Sequence, residues 1–184
     1  APPAPAPARR YLALWFPFLS TDRARGATNR PRRDGPGDRP FVLVEKERGG
    51  LRIAARDACA ARGGLEIGMM LAEARARWPG IETGHAAPEA DAALLLRAAE
   101  TCEALTPLVA LRGKDGLILD ITGCTHLFGG EAGLGNQSRR RVGRLGLASR
   151  AAIAGAPDAA WAFARHRHGA VATSEEEALA RALP

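Results

Sequence analysis

Lysine and aromatic residues are scarce in this sequence. Among 184 residues, aromatics make up 5%, tyrosine occurs once, and lysine is found only at Lys46 and Lys114. β-Sandwich strands draw on Val, Ile, Thr and aromatic side chains, whereas here Ala and Leu supply most of the 46% hydrophobic content. That composition predicts helices packed on a sheet. Three cysteines (Cys59, Cys102 and Cys124) are too few and too scattered for a disulfide framework and point to a reducing cytoplasm. Cys124 and His126 have no companion pair at metal-ligand spacing, so neither a structural zinc nor another cofactor is expected. No apolar run is long enough to cross a membrane. The Pro/Ala stretch over residues 1–9 lacks the charged-then-apolar order of a signal peptide and reads as a flexible leader.

Arginine is what the sequence has in excess. The formal charge is +6 and nearly all basic side chains are Arg. Guanidinium forks match phosphate oxygens, which suits a polyanionic partner. An Arg- and Ala-rich composition follows equally from a GC-rich genome, so charge alone decides nothing.

The apolar run from Tyr11 to Phe16, ended by Pro17, predicts a buried strand. Residues Thr21 to Pro40 show no periodicity and read as a mobile basic loop. Phe41 to Val44 and Leu51 to Ala55 predict a hairpin around Gly49-Gly50. Short helices are expected over Arg56–Arg62 and Met69–Trp78, and a long one from Pro88 with Leu94, Leu95, Ala98, Cys102 and Leu105 on one face. Strands over Leu108–Arg112 and Leu117–Ile121 flank Lys114-Asp115-Gly116. Helix over Glu131–Leu145, strand over Arg150–Ala154 and helix from Pro157 to about His168 follow, and Ser174 to Glu177 form a capping box. With Thr21–Pro79 set aside, the order is that of a split βαβ, ferredoxin-like α+β sheet carrying a small inserted domain.

Two stretches then carry a resemblance. Arg52 to Arg75, containing Ala-Arg-Gly-Gly-Leu-Glu-Ile-Gly-Met, resembles the fingers of Y-family (translesion) DNA polymerases. Leu119-Asp-Ile-Thr-Gly-Cys-Thr-His-Leu-Phe-Gly129 resembles their palm. The resemblance implies a palm over 10–18 and 81–173, a fingers insertion over 19–80, and the start of a thumb over 174–184.

The same resemblance implies that the catalytic positions have been lost. Such polymerases carry two carboxylates on the first palm strand, and the matching residues are Trp15 and Pro17. Their palm hairpin presents an Asp-Glu pair, matched by Asp115 and Gly116. Two Mg²⁺ ions need several hard oxygen ligands, which an indole, a pyrrolidine ring and a glycine do not offer. The triphosphate-gripping Tyr and Arg of the fingers match Ala58 and Ala61, and a later Lys matches Phe163, with Arg56 or Arg62 as possible substitutes. Trp15 reads as core packing, Asp120 as structural, and Trp78 and Trp161 as helix-packing residues.

Leu-Trp-Phe-Pro followed by Asp-Ile-Thr-Gly-Cys is similar to the ImuB-type, non-catalytic group within that family. That similarity implies an adaptor for DNA damage tolerance, a pseudo-polymerase without cofactor. It would bring an error-prone replicative-type polymerase, the sliding clamp and a RecA-like protein to damaged or primed DNA. Candidate DNA contacts are Arg139, Arg140, Arg141 and Arg144, whose simpler reading is a solvated helix face, together with Arg165 and Arg167 near a helix end. Two rivals stand beside it: an active Mg²⁺-dependent polymerase with ligands relocated to Asp115, Asp120 and Glu131, and a protein-only interaction module.

Overall fold

A computed structural model of the chain describes residues 8–27, 38–47, 49–167, 169–170 and 181. The chain divides into two compact units, one built from the segments that end at Pro17 and start at Leu95, the other from Phe18–Leu94.

The larger unit is a five-stranded sheet. Its strands are β1 (Tyr11–Trp15), β5 (Val109–Arg112), β6 (Gly116–Asp120), β7 (Arg150–Ala154) and the short β8 (Gly169–Ala170), in the order β5-β6-β1-β7-β8. β1 pairs antiparallel with both β6 and β7, β5 with β6 likewise, and β7 runs parallel to β8. Without β8 this is the ferredoxin-like order that the sequence predicts. Alternation along β1 sets the two faces. Leu12 and Leu14 are buried on one face, as are Leu117, Leu119 and Ile153 of the neighbouring strands. The other face carries Ala13, Ala152 and Ala154, whose small side chains let α6 (Pro157–His166) approach closely. Ala160, Phe163 and Ala164 of α6 complete that core. Pro157 suits the first turn of α6 because its missing N–H would have no helical partner there.

Helices α4 (Pro88–Glu103) and α5 (Gly130–Gly143) lie where the periodicity puts them, within a residue or two of the predicted ends. The β5–β6 turn places Gly113 at φ 59°, a left-handed conformation that glycine adopts without penalty. A 3-10 turn over Thr125–Phe128, absent from the sequence reading, precedes α5.

The smaller unit holds a three-stranded sheet of order β3-β2-β4, with β2 (Phe41–Glu47), β3 (Gly50–Arg56) and β4 (Glu82–His85). β2 pairs antiparallel with β3 and parallel with β4. Helices α2 (Ala58–Arg62) and α3 (Leu71–Arg77) close over Val42, Val44 and Ile53 with Ala60, Leu65, Leu71 and Ala74.

One expectation fails here. Helix α1 spans Leu19–Ala27 and takes in the front of the supposed basic loop, which was expected from Thr21 onward. Polar tethers hold it: the Thr21 hydroxyl donates to the Phe18 carbonyl at 3.0 Å, Arg23 pairs with Asp91, and Arg25 pairs with Asp57 at 2.5 Å. A helix anchored by ion pairs leaves no apolar stripe for periodicity to detect. The remainder of that loop over 28–37, the leader over 1–7 and the capping box over 174–177 lie outside the described residues.

Candidate nucleic-acid interface at the end of the sheet

Pairing between β1 and β6 sets Trp15 opposite Gly116, and pairing between β1 and β7 sets it opposite Arg150. Strand register therefore brings Trp15, Asp115 and Gly116 to one end of the larger sheet. Pro17 follows β1 directly, and the Phe16 N–H donates to the Asp115 carbonyl at 2.8 Å.

Trp15 is half-buried against the alanine face and is not a fully enclosed core residue. Its indole N–H donates to Asp115 Oδ2 at 2.9 Å. The Arg150 and Arg165 guanidinium carbons lie 5.4 and 5.5 Å from its ring centroid, within cation–π range. Arg165 also lies 6.0 Å from the ring of Trp161. Trp161 occupies the space beside Gly116: a Cβ added there would run into its six-membered ring and sit 3.1 Å from the Arg112 carbonyl oxygen. Nearby, Arg112 pairs with Asp158 at 2.8 Å.

Two of these residues escaped sequence reasoning. Arg150 opens a strand of small residues and becomes visible only through its register with Trp15. Trp161 reads as a helix-packing residue, which it is, but what it packs against is the backbone at Gly116.

The other candidates fall elsewhere. Phe163 is fully buried in the core between α6 and the sheet. Ala58 and Ala61 lie on α2 in the smaller unit, behind an N-cap in which Asp57 Oδ1 accepts from the Ala60 N–H at 2.7 Å. Arg56, a possible substitute for the lost phosphate grip, donates to the Leu65 carbonyl. Of the basic cluster, Arg140, Arg141 and Arg144 line a groove of about 520 Å³ with Phe128, Gly133, Asn136 and Gln137. Arg139 is exposed and does not line it, and Arg141 Nε is buried without a hydrogen-bond partner. Arg167 is exposed at the end of α6.

Asp120 accepts from the Thr122 N–H at 2.9 Å, closing the turn as expected. Glu131 takes a two-pronged bond from Arg10 at 2.6 and 3.0 Å. Among the described residues no group of three or more His, Cys, Asp or Glu side chains is placed to hold a metal ion.

Protein ImuB of Caulobacter vibrioides, in two strains, is 45% identical over 102 residues, covering 55% of this chain and 22% of that protein. Among solved structures, the insertion ternary complex of Dbh DNA polymerase matches with a TM-score of 0.78 at 13% identity, covering 90% of this chain and 49% of that one. A Y-family DNA polymerase chimera built on Dbh matches at 0.72 and 13% with the same coverage. Over 55% of its length this chain is homologous to ImuB, and its fold is that of Y-family polymerases. DinB from Sulfolobus solfataricus matches at 0.74 and 14%, again over 90% of this chain and 49% of that one. No protein-family model matches. The chain spans about a fifth of the length of the ImuB proteins and about half that of the polymerases.

The residues at the sheet end do not fit a pair of Mg²⁺ ions. Such ions need several free carboxylate oxygens at close range. Asp115 has one oxygen bonded to an indole, Asp158 is paired with Arg112, and the remaining groups are guanidinium and aromatic.

Proposed function

We propose that this chain is the palm-and-fingers part of a non-catalytic, polymerase-derived protein of DNA damage tolerance. It serves as an adaptor that holds primed or damaged DNA while another enzyme performs synthesis. The single observation that carries the reading is the contact of Trp161 with Gly116. It removes the space for an acid on β6 at the place where the resemblance to Y-family polymerases puts one. Trp15 on the facing strand supports it, as an N–H donor where a metal ligand would be needed.

In this reading the smaller unit corresponds to the fingers and the larger unit to the palm. Arg140, Arg141 and Arg144 offer one basic surface to the DNA backbone, and the sheet end offers another. Such contacts give sequence-independent, salt-sensitive affinity. An error-prone replicative-type polymerase, a sliding clamp and a RecA-like protein are the proposed partners of the whole protein. Relocated metal ligands are disfavoured by a specific observation: Asp115, Asp120 and Glu131 each carry a structural hydrogen bond or ion pair. Among the described residues no helix is long and apolar enough to cross a membrane.

Titration of fluorescent primer-template DNA at low and moderate salt, with Mg²⁺ and nucleotide first omitted and then added, tests the proposal. Salt-sensitive binding indifferent to both additions is expected. Binding tightened by Mg²⁺ with the correct nucleotide would return the chain to the active polymerases. Absence of binding would leave the protein-only module.

A further inference from the structure

Arg150 and Arg165 stand apart from the ion-paired arginines of the chain. Arg10, Arg23, Arg25, Arg52, Arg77 and Arg112 each pair with a carboxylate. Arg150 and Arg165 are exposed and form no ion pair among the described residues, yet neither is left to wander. Both lie within 5.5 Å of the Trp15 ring centroid, Arg165 also contacts Trp161, and Arg150 Nη1 donates to the Arg165 carbonyl at 3.4 Å. A cation–π contact takes up no N–H donor and leaves a guanidinium able to form forked bonds with oxyanions. Two like charges gathered on one indole repel each other, and an anion between or beside them relieves that repulsion. Neither carboxylate close by pairs with them: Asp115 accepts from the Trp15 indole, and Asp158 pairs with Arg112.

We infer that Arg150 and Arg165, splayed on Trp15, form a metal-independent site for the phosphodiester backbone of a DNA strand. The inference rests on the proposed role of the chain as a DNA-holding adaptor and gives that role a specific place. Where an active polymerase would gather carboxylates and divalent cations around phosphate, this sheet end supplies fixed cations of its own. Two adjacent forks fit successive phosphate oxygens along a backbone better than a single isolated carboxylate.

The test is binding of primer-template DNA by the chain in EDTA across a salt series. It compares the unsubstituted protein with Arg150→Gln/Arg165→Gln, Arg140→Gln/Arg144→Gln and Trp15→Ala. The sheet-end double variant should bind at least about tenfold more weakly at low salt, with a log–log salt slope shallower by roughly one to two. Trp15→Ala should lose most of the same affinity, since it removes the platform while keeping both charges. Thermal melting of each variant reports whether the fold survives, and the double Gln variant, altered only at exposed side chains, is the one that decides.

Unchanged affinity and slope in that variant, with all loss falling on Arg140→Gln/Arg144→Gln, would overturn the site while leaving DNA binding intact. Displacement of DNA by a nucleoside triphosphate or by polyglutamate as readily as by an oligonucleotide would overturn the assignment of the anion. An unsubstituted chain that binds no DNA would remove both the site and the role on which it rests.

Discussion

Arginine does opposite work in two regions of this molecule. In the smaller unit, Arg25 is buried, with its guanidinium bonded to Asp57 and its carbon 5.1 Å from the ring centroid of Phe41. Asp57 simultaneously caps α2. Arg25 and Asp57 each have a charged partner, and the pair is a structural joint. At the end of the larger sheet, Arg150 and Arg165 are exposed, in cation–π range of Trp15 and unpaired with any acid among the described residues. The difference teaches that a basic composition is not by itself a binding surface. What marks a binding surface is charge that is held in place and left uncompensated.

The largest expected effect comes from breaking the joint. Asp57→Ala removes the cap of α2 and leaves a buried guanidinium without its carboxylate, so chemical denaturation should show a loss of about 3–5 kcal/mol. A loss below about 1 kcal/mol, the scale of an exposed pair, would erase the contrast between the regions. Next in size is Gly116→Glu, which forces a side chain into the ring of Trp161 and should cost about 1–3 kcal/mol by overpacking. In a Trp161→Ala background the same change should cost markedly less, and a double-mutant cycle measures the difference.

Comparable in size is a pH effect in the larger unit. Burial pushes the Cys102 thiol up to about 11. Its neutral form is thus favoured in the folded state, while the unfolded chain ionises at about 8.5. The stabilisation is complete below the unfolded value and is lost as pH rises through the folded one. Melting temperature should fall between about pH 8.5 and 11, and Cys102→Ala should flatten that part of the profile. The smallest effect sharpens the comparison most. Arg150→Gln/Arg165→Gln should cost no more than about 1 kcal/mol, the scale of exposed cation–π contacts.

Most of the fold was legible because it rests on local pattern. The apolar run over Tyr11–Trp15, the helical spacing from Leu94 to Cys102 and the turn glycines at 49 and 50 all act within a few residues. Two of the elements missed were illegible for clear physical reasons. β4, with the sequence Glu-Thr-Gly-His, has little strand propensity and exists through its parallel pairing with β2. Gly84 serves there because a Cβ would sit 2.9 Å from Leu43 Cδ2. α1 is held by Arg23–Asp91 and Arg25–Asp57, partners 68 and 32 residues away, which no window along the chain reveals.

The site divides in the same way. Aligned motifs indicate Trp15, Pro17 and Gly116 as positions without acids, which is a matter of reading residues in order. That Trp161 fills the space beside Gly116, and that Arg150 meets Trp15, depends on how α6 and β7 lie against β1. The basic cluster on α5 was read as one unit, whereas helix geometry separates Arg139 from the groove lined by Arg140, Arg141 and Arg144.

The central claim, a polymerase frame whose sheet end holds DNA without metal or chemistry, is tested most directly by primer extension. The full-length protein, free of copurifying polymerase, is given primed template, all four nucleotides and Mg²⁺ or Mn²⁺. The account predicts no extension above the protein-free control with either ion. Extension that depends on the metal and disappears in Asp115→Asn would contradict it.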